Sequence, residues 1–306
     1  MDFEPFLTQW RTQKSCSAAT IRSYRSDLLQ FHSFMRERSI IRITQVDHTV
    51  INAYIDHMKK KANPRFGRIG LSDASIARRL AALSSFFEFV RATRNSRMHN
   101  PLKDFVCKWK KNDQPKPVDV EILDLLIEGI TRTRDRVLIS LFLATGLRLS
   151  EVCQLNRDTI QIESSEDAQG NEQVGGSGQV IGKGNKERTF FVDEETLQLY
   201  AEYLSSRADE HPALFLSERS NRMSPRAVQY TLTLWCRTLG LPHINIHRLR
   251  HSFATRMANA HIDSLILMKL LGHSSYSMTS RYSKLHDTTL AQGYFAAAEH
   301  LRGRPQ

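Results

Sequence analysis

The residues HRLRHSFAT (247–255), LLGHSS (270–275) and SRYSKL (280–285) form the stretch around which the rest of the chain is organised. Here His247, Arg250, His273 and Tyr282 lie among apolar residues. Polar groups in apolar company need partners, and an anionic reactant bound by all of them would supply one. Each residue alone also has a purely structural explanation. A site for an anionic reactant is therefore indicated only if other parts of the chain contribute further residues to it.

The charge of the chain is unevenly distributed. The 306 residues carry a formal net charge of +11, all of it within residues 1–120, whereas residues 121–306 sum to zero. A basic excess confined to one half and spread over helical patterns is typical of a nucleic-acid binder. A basic, soluble surface without a partner is the weaker alternative from charge alone.

Composition indicates an ordered, largely helical protein with room for two domains, since 41% of the residues are hydrophobic and only 14 are glycine. The four cysteines include no CxxC pair, which disfavours a zinc ribbon or a disulfide framework and favours reduced thiols in a cytoplasmic protein. No apolar run reaches the roughly 18 residues of a membrane span, and the acidic first ten residues do not resemble a signal peptide, so no membrane partner is expected.

The first half predicts a small helical bundle, residues 1–107. Apolar residues recur at intervals of three and four over 18–35, 49–61 and 72–90, which indicates three amphipathic helices. Basic residues fall outside these apolar stripes or at a helix end, where they can meet phosphates. The candidate DNA-binding residues are Arg22, Arg25, Lys59, Lys60, Lys61, Arg78 and Arg79. We expect Arg78 and Arg79 to face away from the buried side of their helix.

The segment KWKKNDQPKPVD (108–119) is rich in charge and proline, which predicts a linker to a second domain at 120–306. That domain opens with helices at 120–128 and 134–145, the latter buried and stopped by Gly146. Short strands at 159–162, 179–181 and 189–192 predict a small antiparallel sheet, with Lys183 at the exposed tip of the last hairpin. The polar, glycine-rich residues 163–178 are interpreted as a flexible loop. Further helices are predicted at 194–207, 225–239, 246–260 and 264–271.

Several polar residues of the second half form a plausible phosphoryl-transfer set. They are Arg148, Lys183, His247, Arg250, His273 and Tyr282. His247 and Arg250 are three residues apart, so on a helix they share a face. Phosphoryl transfer requires fixed cations on the non-bridging oxygens, a nucleophile and a proton donor, and a tyrosine can be the nucleophile. A structural role for Arg148 and a solvated Lys183 remain alternatives at this point.

Other site classes fit poorly. His247 and His251 have the spacing of HExxH, but Arg248 stands where that motif has glutamate, which disfavours zinc. The chain contains neither GxxxxGK[ST] nor GxSxG, which disfavours an NTPase and an α/β-hydrolase. The apolar elements carry too few carboxylates for a two-metal site. No metal and no cofactor is predicted.

The strings ATGLRLSE (144–151), VIGKGNKERTFFV (180–192), INIHRLRHSFAT (244–255), LLGHSS (270–275) and RYSKL (281–285) resemble, in order and spacing, the tyrosine recombinase (phage integrase) family, close to its Xer-like branch. The resemblance implies a mainly α fold with a small antiparallel β-sheet. A SAM-like helical core-binding domain and a catalytic domain would form a C-shaped clamp on DNA.

The resemblance also implies roles. Tyr282 would attack a DNA phosphodiester and form a 3′-phosphotyrosyl link, while Arg148 and Arg250 hold the scissile phosphate. Lys183 would protonate the leaving 5′-oxygen, and His247 would assist proton transfer at the tyrosine. His273 would donate a hydrogen bond to the phosphate, and Glu151 would support the site. The reaction would need neither metal nor ATP.

The implied partners are a double-stranded DNA recombination site and further copies of the chain, as a dimer on one site and a tetramer in the synapse. The C-terminal helical segment 287–302 would dock on a neighbouring subunit, with folding back in cis as the alternative. Two competing functions remain at this stage: a DNA-binding accessory factor that lacks strand exchange, and a type IB-like topoisomerase.

Overall fold

The computed structural model describes residues 2–14, 18–60, 62–63, 68–93, 97–103, 116–166, 172–182, 187–260 and 262–272. The chain divides into two compact units, Met1–Asp113 and Gln114–Gln306. The predicted linker lies largely outside the described residues, so its bounds stay a prediction. Within the described ranges, no helix combines the length and apolarity needed to cross a membrane.

The first unit is helical, as predicted. Its helices are α1 (Glu4–Lys14), α2 (Ala18–Glu37), α3 (His48–Lys60) and α4 (Asp73–Thr93), with a 3-10 turn at Ile43–Gln45 and a two-residue antiparallel pair of strands, β1 (Ala62–Asn63) and β2 (Arg68–Ile69). The three predicted helices are confirmed. Ser72 accepts a hydrogen bond from the backbone N–H of Ser75 and so caps α4.

Helix α1 was not predicted from the sequence. Its residues Phe6 and Leu7 are almost fully buried, and Phe6 packs edge-on against Phe86 of α4 at a ring-centroid distance of 5.5 Å. Helix α1 therefore completes the aromatic core of this unit, although few apolar residues in its sequence mark it as a helix.

The second unit holds seven helices among its described residues: α5 (Val120–Gly129), α6 (Thr133–Thr145), α7 (Leu149–Gln154), α8 (Glu194–Ser205), α9 (Pro225–Thr238), α10 (Ile246–Asn259) and α11 (Ser264–Leu271). All but the short α7 were predicted. Helix α6 forms the centre of the core, and its residues Val137, Ile139 and Phe142 are fully buried. Helices α8 and α10 pack against it.

Two helices of the second unit, α6 and α11, end at a glycine. Gly146 follows α6 and Gly272 follows α11, and both adopt the left-handed conformation, with φ of 58° and 59°. This geometry is the usual helix C-cap, for which glycine pays no steric cost. A Cβ on Gly146 would lie 2.2 Å from the ring of Phe253, so glycine also permits α10 to pack closely on the end of α6.

A three-stranded antiparallel sheet lies beside these helices, in the order β3 (Gln161–Glu166), β4 (Glu172–Ile181) and β5 (Glu187–Val192). The sheet confirms the predicted fold class, but the interpretation of residues 163–178 as a flexible loop was wrong for 163–166 and 172–178, because Glu163 pairs with Gly175. Residues 167–171 lie outside the described residues. The glycines serve packing: a Cβ on Gly176 would lie 2.9 Å from Ile160, and one on Gly178 would lie 2.6 Å from Phe190.

Candidate active site

Arg148 lies at the start of α7, in the turn that follows Gly146. Its Nη1 donates to Oε1 of Glu151 at 2.8 Å, and its Nη2 donates to the carbonyl oxygen of Gly272 at 2.7 Å. The backbone N–H of Arg148 donates to Oε2 of Glu151 at 2.6 Å. These three hydrogen bonds hold Arg148 in one orientation, and its side chain remains 28% exposed.

Arg250 extends from the middle of α10 towards the same place. Its Nη1 donates to the carbonyl oxygen of Gly146 at 2.5 Å, and its Nη2 donates to that of Leu271. The last carbonyls of a helix have no intrahelical partner and form the negative end of its dipole. The guanidinium of Arg250 thus joins the C-terminal ends of α6 and α11.

A third arginine, Arg188 of β5, completes this group, and the sequence interpretation did not single it out. Its Nη2 donates to Oε2 of Glu151 at 2.7 Å, and its Nη1 donates to the carbonyl of Leu270. Three consecutive carbonyls at the end of α11 therefore accept from three different arginines. One pattern could have revealed Arg188: it alternates with Phe190 and Val192 and so lies on the buried face of its strand.

Glu151 is the carboxylate shared by Arg148 and Arg188. It is 3% exposed, so its charge depends on these partners. Burial alone would raise the pKa of Glu151, but the hydrogen bonds from Arg188 and Arg148 outweigh burial and hold the pKa below its usual value. Glu151 is therefore ionised at neutral pH, and the three arginines leave the site with a net positive charge.

His247 lies in the first turn of α10, one turn before Arg250, and its side chain is exposed. Asn245 caps this helix by accepting from the backbone N–H of Arg248 at 3.0 Å. The structure thus brings Arg148, Glu151 and Arg250 together and places His247 on the same helix as Arg250. The predicted site residues Lys183, His273 and Tyr282 lie outside the described residues.

The candidate DNA-binding residues of the first unit differ in their surroundings. Arg22, Lys59 and Lys60 are exposed, and Lys61 lies outside the described residues. Arg25 is exposed and donates to Glu4 at 2.8 Å. These positions are compatible with phosphate contacts.

Arg78 and Arg79 both bind Asp27, a carboxylate of α2 that is only 2% exposed. Arg78 donates to it through both terminal nitrogens and remains 49% exposed. Arg79 approaches Asp27 to 3.5 Å, donates to Gln30 at 2.6 Å, and is 15% exposed. The prediction that both arginines face away from the bundle was therefore wrong for Arg79, because the buried Asp27 requires a positive partner.

No group of three or more potential metal-ligating side chains occurs within the described ranges. The polar residues that converge are arginines and one carboxylate, a set suited to hold an anion. Chemically, the arrangement can fix a phosphate between two rigid guanidiniums.

Comparison with known proteins agrees with this geometry. The Phage integrase family matches residues 118–289, and the phage integrase N-terminal SAM-like domain matches residues 3–94. The chain is 32% identical over 304 residues to "Tyrosine recombinase XerC" of Escherichia coli O139:H28 (strain E24377A / ETEC), covering 97% of this chain and 95% of the relative.

Two solved structures share the fold. The XerH site-specific recombinase bound to difH substrate superposes with a TM-score of 0.69 at 19% identity, covering 95% of this chain and 83% of that chain. The Tn1549 transposon integrase in complex with transposon right end DNA gives a TM-score of 0.71 at 17% identity, covering 95% and 97%. The predicted family and fold class are thus confirmed: the chain belongs to the phage integrase family and is a tyrosine site-specific recombinase.

Proposed function

We propose that the chain binds duplex DNA at a recombination site and that Tyr282 cuts and rejoins it through a 3′-phosphotyrosyl intermediate. The observation that carries the proposal is the seating of Arg148 and Arg250 on consecutive carbonyls of α11. Two guanidiniums fixed in this way are preorganised for the non-bridging oxygens of one phosphate, where negative charge increases in the transition state. The XerH recombinase is bound to difH substrate and the Tn1549 integrase is in complex with transposon right end DNA in their solved structures.

The first proposed step is cleavage of the scissile phosphodiester. Oη of Tyr282 forms a bond to phosphorus while the bond from phosphorus to the 5′-oxygen breaks. His247 accepts the tyrosine proton, and Lys183 donates a proton to the leaving 5′-oxygen. Attack by a 5′-hydroxyl reverses the step and rejoins the strand, and because the phosphotyrosyl bond retains the energy of the diester, neither ATP nor a metal is required.

Arg148 and Arg250 hold the scissile phosphate in this scheme, and His273 donates a further hydrogen bond to it. The contacts of Arg148 with Glu151 and Gly272 use two of the five N–H donors of its guanidinium, which leaves donors for a phosphate. Glu151 fixes the orientation of Arg148. Because both arginines are held before DNA arrives, little reorganisation accompanies the reaction.

The basic first unit supplies affinity in the proposal. Its exposed cations contact backbone phosphates, which position the protein on DNA without reading its sequence. The residues proposed for these contacts are Arg22, Arg25, Lys59, Lys60, Lys61 and Arg78.

We further propose a dimer on one site and a tetramer in the synapse, with the C-terminal segment 287–302 exchanged between subunits, in a cytoplasmic protein. The accessory-factor and topoisomerase alternatives are not favoured, because the relative that matches nearly the whole chain is named as a recombinase.

Covalent trapping tests the function. Duplexes retained by the protein would be selected from a random pool, and a nick would be placed beside the mapped cleavage position so that the released fragment prevents religation. Wild-type protein should form a protein–DNA adduct that resists denaturation, and Tyr282→Phe should bind equally well and form none. Two sites on one DNA should then give recombinant products. A bound duplex without any adduct would exclude the enzyme activity, and an adduct without recombinants would favour a topoisomerase.

A further inference from the structure

We propose that Arg188 is a positioning residue for DNA cleavage: it fixes Glu151, and through Glu151 it orients the guanidinium of Arg148 towards the scissile phosphate. This inference rests on the proposed function, and it adds an arginine to the residues on which the reaction depends. Arg188 acts through its neighbours, because its side chain is only 8% exposed and has little surface with which to meet DNA.

The Glu151 carboxylate is shared between Arg148 and Arg188. Oε1 accepts from Nη1 of Arg148 at 2.8 Å, while Oε2 accepts from Nη2 of Arg188 at 2.7 Å and from the backbone N–H of Arg148 at 2.6 Å. A buried carboxylate adopts the orientation that its charged partners impose, since any other would leave its charge uncompensated. Loss of Arg188 would leave Oε2 with only the backbone N–H of Arg148, so the carboxylate would lose one of its two charged partners and hold the Arg148 guanidinium less rigidly.

The other terminal nitrogen of Arg188, Nη1, ties the Arg148–Glu151–Arg188 group to the end of α11. Nη1 donates to the carbonyl of Leu270, next to the carbonyls that hold Arg250 and Arg148. Arg188 thus connects three elements: β5 through its own backbone, α7 through Glu151, and the end of α11. A guanidinium can make these two contacts because its donors form a rigid planar fork, whereas an ammonium cannot match this geometry.

The location of Arg188 in the chain adds a second consequence. It lies five residues after Lys183, in the strand that follows the hairpin carrying that lysine. Binding of Arg188 to α7 and α11 therefore also anchors the start of β5. In the proposed reaction, the same contact would fix both the arginine that holds the phosphate and the strand adjoining the general acid.

The experiment measures single-turnover adduct formation. The full chain is present in saturating excess over a nicked suicide duplex, which is obtained by the selection described for covalent trapping. Arg188→Met should lower the cleavage rate of the bound complex by roughly 100-fold, the scale expected when a catalytic group is misplaced by about 1 Å, and should change the dissociation constant of the duplex little. Arg188→Lys should recover part of the rate, because it keeps the charge but not the fork.

Arg222→Met is the matched control. Arg222 is a half-buried arginine of the same unit that donates to the carbonyls of Cys153 and Leu155, at 3.1 and 2.8 Å, and does not contact Glu151. Its loss should lower the melting temperature but leave the cleavage rate of the folded complex unchanged. A purely structural role for Arg188 would produce this same pattern, and that result would overturn the inference.

A double-mutant cycle gives the decisive readout. If Arg188 acts by orienting Arg148, then Arg188→Met should have little further effect in protein that already carries Arg148→Ala. A full, multiplicative effect in that background would contradict the inference, as would weaker DNA binding with unchanged cleavage.

If Arg188→Met fails to fold, the same cycle with Arg188→Lys applies. Absence of any wild-type adduct would overturn the proposed function and this inference together, whereas a wild-type adduct with no effect of Arg188 would overturn only the inference.

Discussion

Arg148 and Arg250, which lie on different helices and far apart in the sequence, donate hydrogen bonds to the carbonyl oxygens of two consecutive residues, Gly272 and Leu271. The end of α11 therefore sets the spacing of both guanidiniums. A helix C-terminus favours cations through its unpaired carbonyls and its dipole. The arginines are consequently held in place by protein groups before any DNA is bound.

We predict that Gly272→Ala will impair cleavage far more than its backbone strain alone explains. A Cβ at this position would lie 2.8 Å from Cδ of Arg188 and 3.3 Å from Nη1 of Arg148, so both side chains would have to move. Gly240→Ala is the control, because Gly240 has a similar φ of +65° with no atom within 4 Å of the added Cβ. Both variants should lose about 1 kcal/mol of stability from the left-handed conformation.

Chemical denaturation would measure the stability of the two glycine variants, and single-turnover trapping would measure their cleavage. Only Gly272→Ala should slow adduct formation, by tenfold or more on the scale of roughly 1 Å displacements. Equal cleavage by both variants would show that the end of α11 does not position the arginines.

We predict a pH-dependent stability defect for Glu151→Gln. The pKa of Glu151 in the folded protein lies below its ordinary value of 4.5, so the ionised carboxylate stabilises the fold above that pH, and this contribution is lost as the pH falls through the folded-state pKa. At neutral pH the variant should lose about 3 kcal/mol, since two arginines keep only a neutral partner. Below about pH 4 the difference from wild type should shrink.

Urea unfolding of both proteins across pH 3–8 would test this dependence. Glu218→Gln is the control, because Glu218 also pairs with two arginines but is 70% exposed, and exposed pairs contribute little to stability. A stability difference for Glu151→Gln that stays constant over the whole range would contradict the assignment of an ionised, arginine-bound Glu151.

We predict that Lys183→Ala will be rescued by a 5′-phosphorothiolate at the cleavage position. The general acid is needed only because the leaving 5′-oxygen must be protonated, and a thiolate leaves without that help. The variant should form almost no adduct with the ordinary duplex and should approach the wild-type rate with the sulfur-substituted one. Arg148→Ala should show no comparable rescue, and failure to rescue Lys183→Ala would remove this lysine from the general-acid role.

We predict a weaker salt dependence of DNA binding when exposed lysines of the first unit are neutralised. Lys59 and Lys60 lie exposed in the last turn of α3. If each contacts a phosphate, Lys59→Gln with Lys60→Gln should reduce the slope of log K against log salt by about 2. Paired changes of Arg219 and Arg226 to Gln, outside the basic half, serve as the control. An unchanged slope for the lysine variant would show that α3 does not contact the backbone.

The sequence predicted most helices because their apolar periodicity matches their packing. It missed α1, whose core contribution comes from few residues, and it misjudged residues 163–166 and 172–178, which lie in strands. Glycine there suggested flexibility, yet Gly176 and Gly178 are required because Ile160 and Phe190 occupy the space that side chains would need. Whether a glycine serves a turn or close packing depends on tertiary neighbours, which local sequence does not reveal.

The candidate site was also predictable only in part, because some of its residues depend on tertiary neighbours. Arg148 and Arg250 stand out in sequence because each follows or interrupts an apolar pattern. Arg188 does not, because its role depends on sharing Glu151, a carboxylate 37 residues earlier in the chain. Arg79 shows the converse: its charge suggested a surface contact, but the buried Asp27 turns it inward.

The three consecutive carbonyls at the end of α11 make the length of that helix a functional constraint. Each added or deleted residue turns the end of an α-helix by about 100° and shifts it by about 1.5 Å. A single insertion within Ser264–Leu271 would thus aim all three carbonyls away from their arginines at once. We expect this helix to tolerate changes of residue type on its exposed side but not insertions or deletions. The number of residues between Asp263 and Gly272 should therefore constrain activity as strongly as the identity of the arginines.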